Sequence, residues 1–230
     1  MQKPGKITYV LYPNERRAAR LFSDKAQHPI YIRLIHNRSP RYFKSYYFDL
    51  LSRPKYSTIG IKSEVLLEQV KEREEALLNF LVLKHKDSFD FDLFKKEYLF
   101  YAEDLLYRME GFFLEYMATF FADEGLPSIS RTLYEGGKVD TCYSILNQLR
   151  LSLKDSAYNK LIENAVWYGP PYIPMYEFAK QKNSNLVPLF SVQDWKNDEK
   201  RGELGEFIRS FYPGYTKTFE EYIEKLLTIY

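Results

Sequence analysis

The sequence predicts an α+β fold, a small three-stranded antiparallel sheet at the N-terminus followed by a mainly helical body, and three observations carry it. Three short runs rich in β-branched and aromatic residues fall within the first 48 of 230 residues: Ile7–Tyr12, His28–His36 and Arg41–Phe48. From residue 63 onward apolar residues recur at helical spacing instead. Charge divides in the same way. Residues 1–55 hold twelve Lys or Arg against three acids, a local +9, so in a chain of net +2 the other 175 residues carry −7.

Taken in order, Ile7–Tyr12 supplies the strand that a lone hairpin needs to be stable in water. Asn14–Gln27 is polar and basic, and reads as a loop or as one turn of helix, in which Arg16 and Arg20 would share a face and Arg17 would lie beside them. In the middle run Ile30, Ile32 and Leu34 fall on one face, Tyr31, Arg33 and Ile35 on the other. Asn37-Arg38-Ser39-Pro40 carries turn chemistry, and Arg41–Phe48 completes the hairpin. A basic, aromatic-studded ribbon fits the major groove of DNA, where Arg and Lys reach phosphates and guanine edges. The alternative reading of the same charge is a solvated basic sheet, or one that docks onto an acidic partner or the chain's own acidic half. The expected contacts are Arg33, Arg38, Arg41, Lys44, Lys55 and Lys62, with Tyr42 and Tyr46 as apolar or stacking contacts and Arg16, Arg17 and Arg20 as auxiliaries. Both faces of the last run carry aromatics, so the sequence leaves open which one meets a partner.

Beyond the sheet, Ser63 is the expected N-cap of a helix over 64–84 with an apolar stripe of Leu66, Val70, Leu77 and Leu81. Glu68, Glu72, Glu74 and Glu75 are assigned to its solvent face. Asp90 caps a short helix burying Phe91, Phe94 and Tyr98, and 102–122 forms a core helix with a wide apolar face that includes Phe112, Tyr116 and Phe120. Residues 123–137 read as a connection rich in Gly, Ser and Pro, and 138–154 as a helix on which Cys142 is a small core residue. Trp167–Pro174 is expected to be a rigid aromatic loop, 183–188 and 197–205 further loops, and 206–212 a short helix stopped by Pro213-Gly214. Thr218-Phe-Glu-Glu221 fits a capping box opening an amphipathic C-terminal helix over 216–230. Its apolar face is to be covered by the chain's own body or, in the minority reading, by a second subunit. The expected organisation is thus 1–62, 63–160 and 161–230.

At the sheet the sequence also resembles a known family. Lys6-Ile-Thr-Tyr-Val-Leu-Tyr12, His28-Pro-Ile-Tyr-Ile-Arg-Leu-Ile-His-Asn-Arg38 and Ser57-Thr-Ile-Gly-Ile-Lys62 look like the N-terminal arm-binding domain of Bacteroidetes-type tyrosine recombinases, the phage integrase family. Phe89–Tyr98 resembles the helix that closes the arm region in that family, and Phe113–Met117 and Thr141–Arg150 the start of its SAM-like core-binding domain, so the likeness spans about residues 5–155. The resemblance implies arm-type DNA binding by the sheet and a second group of phosphate contacts at Arg131, Lys138, Arg150 and Lys154. From about Val166 the pattern departs from the family.

Catalysis is not expected. Family chemistry needs an H-x-x-R element with further cations around a nucleophilic Tyr, whereas His28, His36 and His85 are followed three positions on by Tyr31, Ser39 and Ser88. There is no phosphate-binding G-x-x-x-x-G-K-[ST] or G-x-G-x-x-G, and one Cys with three scattered His makes no zinc site. Asp87, Asp90 and Asp92 lack the Gly and terminal Glu of a calcium loop, so no cofactor is expected. One cysteine and no N-terminal apolar run suggest a reducing cytoplasm, that of a bacterial host on the resemblance. Asn37-Arg38-Ser39 is then a chance match to a glycosylation acceptor. No run reaches the roughly 18 apolar residues of a membrane span. Two readings remain, a non-catalytic DNA-binding protein of a phage or mobile element, and a structural virion or tail-ring protein, of the head-tail connector type, that uses an integrase-like fold for subunit contacts.

Overall fold

The computed structural model describes residues 6–57 and 59–228, so Lys3, Thr58 and Tyr230 lie outside the described residues. The chain forms two compact units, Met1–Glu103 with Asn185–Val187, and Asp104–Ser184 with Pro188–Tyr230. This partition differs from the expected cuts at 62 and 160, because two helices after the sheet supply the apolar surface that its inner face needs.

In the first unit, β1 (Thr8–Pro13), β4 (Ile30–His36) and β5 (Ser39–Lys44) form an antiparallel sheet in the order β1-β4-β5, with β2 (Arg20–Phe22) and β3 (Lys25–Gln27) as a separate two-stranded hairpin. The fold class is therefore the expected one, but Asn14–Gln27 is neither plain loop nor helical turn. Phe22 is fully buried and its ring stacks on Phe48 at 4.7 Å and 3°, which fixes the small hairpin. The third expected strand is shorter than its aromatic texture suggests. Ser45 takes the N-cap position of α1 (Tyr46–Leu51), its hydroxyl accepting from the Phe48 N–H, so Tyr46–Phe48 turn into helix.

The turn between β4 and β5 is Asn37-Arg38 alone, with His36 paired to Ser39 and φ of 50° and 63° at the two central residues. Both residues sit in the left-handed region, which suits the twist of a two-residue hairpin and favours Asn-Gly. Arg38 occupies the glycine position at a cost of about 1 kcal/mol. Arg38→Gly is expected to raise the stability of the first unit by about 1 kcal/mol in urea denaturation while removing one cation. An unchanged or lower stability would contradict that turn geometry.

The inner face of the sheet, Ile32, Leu34 and Phe43, is buried. It is covered by α1 and two longer helices, α3 (Ser63–Lys84) and α4 (Phe91–Ala102), the short α2 (Pro54–Ser57) intervening. Phe43 meets Tyr98 at 4.9 Å, and Tyr9 donates from its hydroxyl to Asn79 Oδ1 (2.8 Å). Ser63 is the first residue of α3, not its cap. Asp24 at the β2–β3 turn accepts from the Ser63 N–H (2.9 Å), and that donation holds the Asp24 carboxyl below its usual range. Asp90 does cap α4, accepting from the Leu93 N–H (2.7 Å), and Phe94 and Tyr98 are buried. Glu74 departs most from expectation, since it is wholly buried. Gln69 ties residues 185–187 to this unit, its amide donating to Val187 O (2.7 Å).

The second unit is all helix apart from an isolated bridge between Asp104 and Ser191. It comprises α5 (Leu105–Asp123), α6 (Pro127–Val139), α7 (Cys142–Ser152), α8 (Asp155–Tyr168), α9 (Tyr172–Lys182), α10 (Val192–Lys196), α11 (Asp198–Phe211) and α12 (Thr216–Thr228). Three expected loops are overturned. Residues 127–139 form α6 with Pro127 in the first turn, where a missing N–H costs nothing. Gly137 lets α6 approach α5 closely, since a Cβ there would stand 2.5 Å from Leu114 Cδ2. In 167–174 the break is limited to 169–171, and Pro174 lies in the first turn of α9. Residues 197–205 belong to α11, capped by Asn197, whose side chain accepts from the Lys200 N–H (3.0 Å).

The C-terminal helix begins at Thr216, so Thr218 is inside it and no capping box forms there. Its Phe219, Ile223, Leu226 and Leu227 are buried in the chain's own fold. Phe219 lies 6.2 Å from the Trp195 ring, so the chain's own body, not a second subunit, covers this face. Among the described residues no helix is long and apolar enough to cross a membrane.

Candidate nucleic-acid interface

Strand register decides which basic residues share a surface. Val10 pairs with Arg33 and Arg33 with Tyr42, while Tyr12 pairs with Tyr31 and Tyr31 with Lys44. These alternate residues form the outer face, where Arg33, Tyr42 and Lys44 are exposed and Tyr12 and Tyr31 half-buried. Tyr12 packs against Tyr31 at 6.3 Å and meets Tyr42 edge-on at 6.4 Å, so three rings form one cluster beside two cations. Three strands at about 4.8 Å spacing give a face about 10 Å across, comparable to the roughly 12 Å major groove. Arg33 and Lys44 are diagonal neighbours across β4 and β5, about 7–8 Å apart at their Cα atoms. Neither has an ion-pair partner among the described residues.

Other expected contacts are placed elsewhere. Arg41 pairs with Leu34 on the opposite side, its guanidinium 5.8 Å above the Phe91 ring. There it lines a cleft of about 410 Å³ with His36, Asp90 and Asp92, whose carboxylates oppose a phosphate. Arg38 is exposed at the hairpin tip. Tyr46 is half-buried in α1 with its N–H donating to the Tyr98 hydroxyl (2.7 Å), so it is no surface contact. Lys55 lies half-buried in α2, and Lys62 is exposed at the N-cap of α3. Arg16 and Arg17 are exposed in a turn held by Asn14, whose carbonyl accepts from the Arg17 N–H (3.0 Å). Arg20 is committed to Asp49 at 3.1 Å.

The second group is spread over the helical unit. Arg131 is on α6, Arg150 on α7, and Lys154 is the N-cap of α8, all exposed, while Lys138 pairs with Glu135 at 2.7 Å and so has its charge offset. The structure thus brings together Arg33, Tyr42 and Lys44 and adds Val10, Tyr12 and Tyr31, which sequence reasoning missed. For Tyr31 the available signal was the alternation that puts it on the face of Arg33, whereas Val10 and Tyr12 join that face through a register that only the pairing shows. Comparison with protein-family models, with curated proteins and with solved structures finds no match to this chain.

Proposed function

We propose that this protein binds duplex DNA without chemistry, as a component of a phage or other mobile element acting in a bacterial host cell, and that the outer face of β1-β4-β5 is the reading surface. The observation that carries the reading is the grouping of Arg33, Lys44 and Tyr42 on an uncovered face, next to a tyrosine cluster and within a segment of charge +9. Cations without carboxylate partners release counterions when they meet phosphates, and the rings supply contact area for sugars and thymine methyls. Arg38 supports the reading, since it puts a cation at the hairpin tip where glycine would relieve strain.

The test is binding to a mixed duplex pool across a salt series, with the full chain, Arg33→Glu/Lys44→Glu and Arg41→Glu. The parent is expected to bind with an affinity that falls steeply with salt. The double variant should lose most affinity, with the logarithmic salt slope reduced by about 2, whereas Arg41→Glu keeps the parent slope. No binding at low salt, or equal loss in all variants, would overturn the proposal.

A further inference from the structure

The second unit carries an aromatic groove of about 830 Å³ between α5, the end of α8 and α12. Phe112 is 48% exposed, Trp167 63% and Tyr168 79%, an unusual concentration of rings facing solvent on one surface. Trp167 stands edge-on to Tyr215 at 6.3 Å and 85°. The groove is built rather than incidental. The Tyr116 hydroxyl donates to Leu161 O (2.9 Å), and a Cβ at Gly169 would meet Ala165 O at 2.8 Å and the Tyr116 ring at 3.4 Å. Burial pushes the Tyr116 and Tyr215 phenols up to about 12, so they are neutral. The charge of the groove comes from its rim, where Glu115, Asp123 and Glu221 outnumber Lys225. Glu221 also meets Lys217 of its own helix at 3.7 Å, in a solvated pair that a ligand cation can displace.

Ring faces carry negative quadrupole potential, and carboxylates beside them add full charges of the same sign. That combination repels phosphates and suits a cation with an apolar stem, which is the chemistry of Arg and Lys side chains. The volume exceeds one such side chain and matches several residues of extended chain. We propose that this groove binds an extended peptide segment of a partner protein bearing two or more Arg or Lys residues, with their stems on the Phe112 and Trp167 rings and their heads at Glu115 and Glu221. This site is independent of the sheet, and its acidic charge separates the two surfaces by ligand type.

Trp167 gives the readout. The full chain is titrated with a nine-residue Gly/Ser peptide carrying four Arg and, in parallel, with the same peptide carrying four Glu, and tryptophan emission is followed. The Arg peptide is expected to give a saturable, salt-sensitive change that is absent in Trp167→Phe and weakened about fivefold to tenfold in Glu115→Gln/Glu221→Gln. Both glutamates are exposed, and an unchanged melting temperature confirms that the double variant stays folded. No saturable response, or an equal response to the Glu peptide, would overturn the proposal. So would concentration-dependent self-association that Glu115→Lys/Glu221→Lys abolishes, since that would give the groove to a second copy of the chain.

Discussion

Glu74→Ala is expected to lower the stability of the first unit by about 3 kcal/mol, which is large against the 5–15 kcal/mol of a typical domain. Glu74 lies in the middle of α3 and is fully buried. Ser45 donates from Oγ to its Oε1 (2.6 Å), the Tyr98 hydroxyl reaches both carboxylate oxygens (2.8 and 2.9 Å), and the Tyr47 N–H approaches Oε1 at 3.3 Å. The carboxylate therefore joins the end of β5, the start of α1, and α4. Truncation to Ala strips the acceptor from two buried hydroxyls and an amide and leaves a cavity. Both tryptophans belong to the second unit, so hydrogen exchange in α1 and α4 is the measurement that reports on this site. Exchange protection within 1 kcal/mol of the parent would contradict it.

The same group makes stability depend on pH. Burial pushes the Glu74 carboxyl up from 4.5 to about 7, against the opposing effect of the Ser45 and Tyr98 donors. In the unfolded chain the group loses its proton near its ordinary value, while the folded chain holds it up to about 7. Across that window the folded state binds more protons, so stability falls as pH rises, by about 3 kcal/mol in total, and levels off above it. The Tyr98 hydroxyl, pushed well above its usual range by burial and by Glu74, stays protonated and keeps donating. Glu74→Gln removes the titration, and the difference between parent and Gln variant at pH 5 and pH 8 isolates this carboxyl from every other group. Parallel pH profiles for the two proteins would sink the assignment.

Glu74 also shows where the sequence was legible and where it was not. The spacing of Leu66, Val70, Leu77 and Leu81 marks the buried stripe of α3, and Glu74 lies four residues after Val70 and four before Leu78, on that stripe. A cluster of four acids in eight residues suggests a solvent face, and that composition masked the geometry. Strand identity and the alternation along Ile30–His36 are readable because a period of two is a local property. Alternation along the last strand likewise puts Arg41 and Lys44 on opposite faces, but register is not local, so which of the two shares a face with Arg33 emerges only from pairing. Residues 127–139 and 198–205 were hidden for a third reason. Gly136-Gly137 and the pair Gly202 and Gly205 lower helix propensity, and tertiary packing such as that of Gly137 against Leu114 overrides it.

Asp104→Ala should cost the second unit about 3 kcal/mol, by a mechanism that separates acceptor chemistry from packing. Asp104 is fully buried at the N-cap of α5, where Oδ1 accepts from the Tyr107 N–H (2.7 Å) and Oδ2 from the Phe190 N–H (2.8 Å). The Leu105 N–H returns to Phe190 O (2.9 Å), and Ser191 then caps α10 through a reciprocal bond with Asp194, which also pairs with Lys200. One carboxylate thus fixes both the start of the core helix and the strand-like segment leading to α10. Truncation leaves two amides buried without these acceptors. Asp104→Asn keeps the volume but gives one amide a donor where it needs an acceptor, so it should cost about 2 kcal/mol, more than half the Ala effect. Trp195 reports the transition, since it is 2% exposed beside this site and its indole N–H donates to Glu224 Oε1 (2.8 Å). If Asn restored parent stability in urea, a single accepting oxygen would suffice and the two-amide bracket would be wrong. If both variants fail equally, the pairing to Phe190 dominates over the helix cap. Because α5 also carries Phe112, Glu115 and Tyr116, the Asp104 variants should weaken the groove's tryptophan response only at temperatures where the second unit begins to melt.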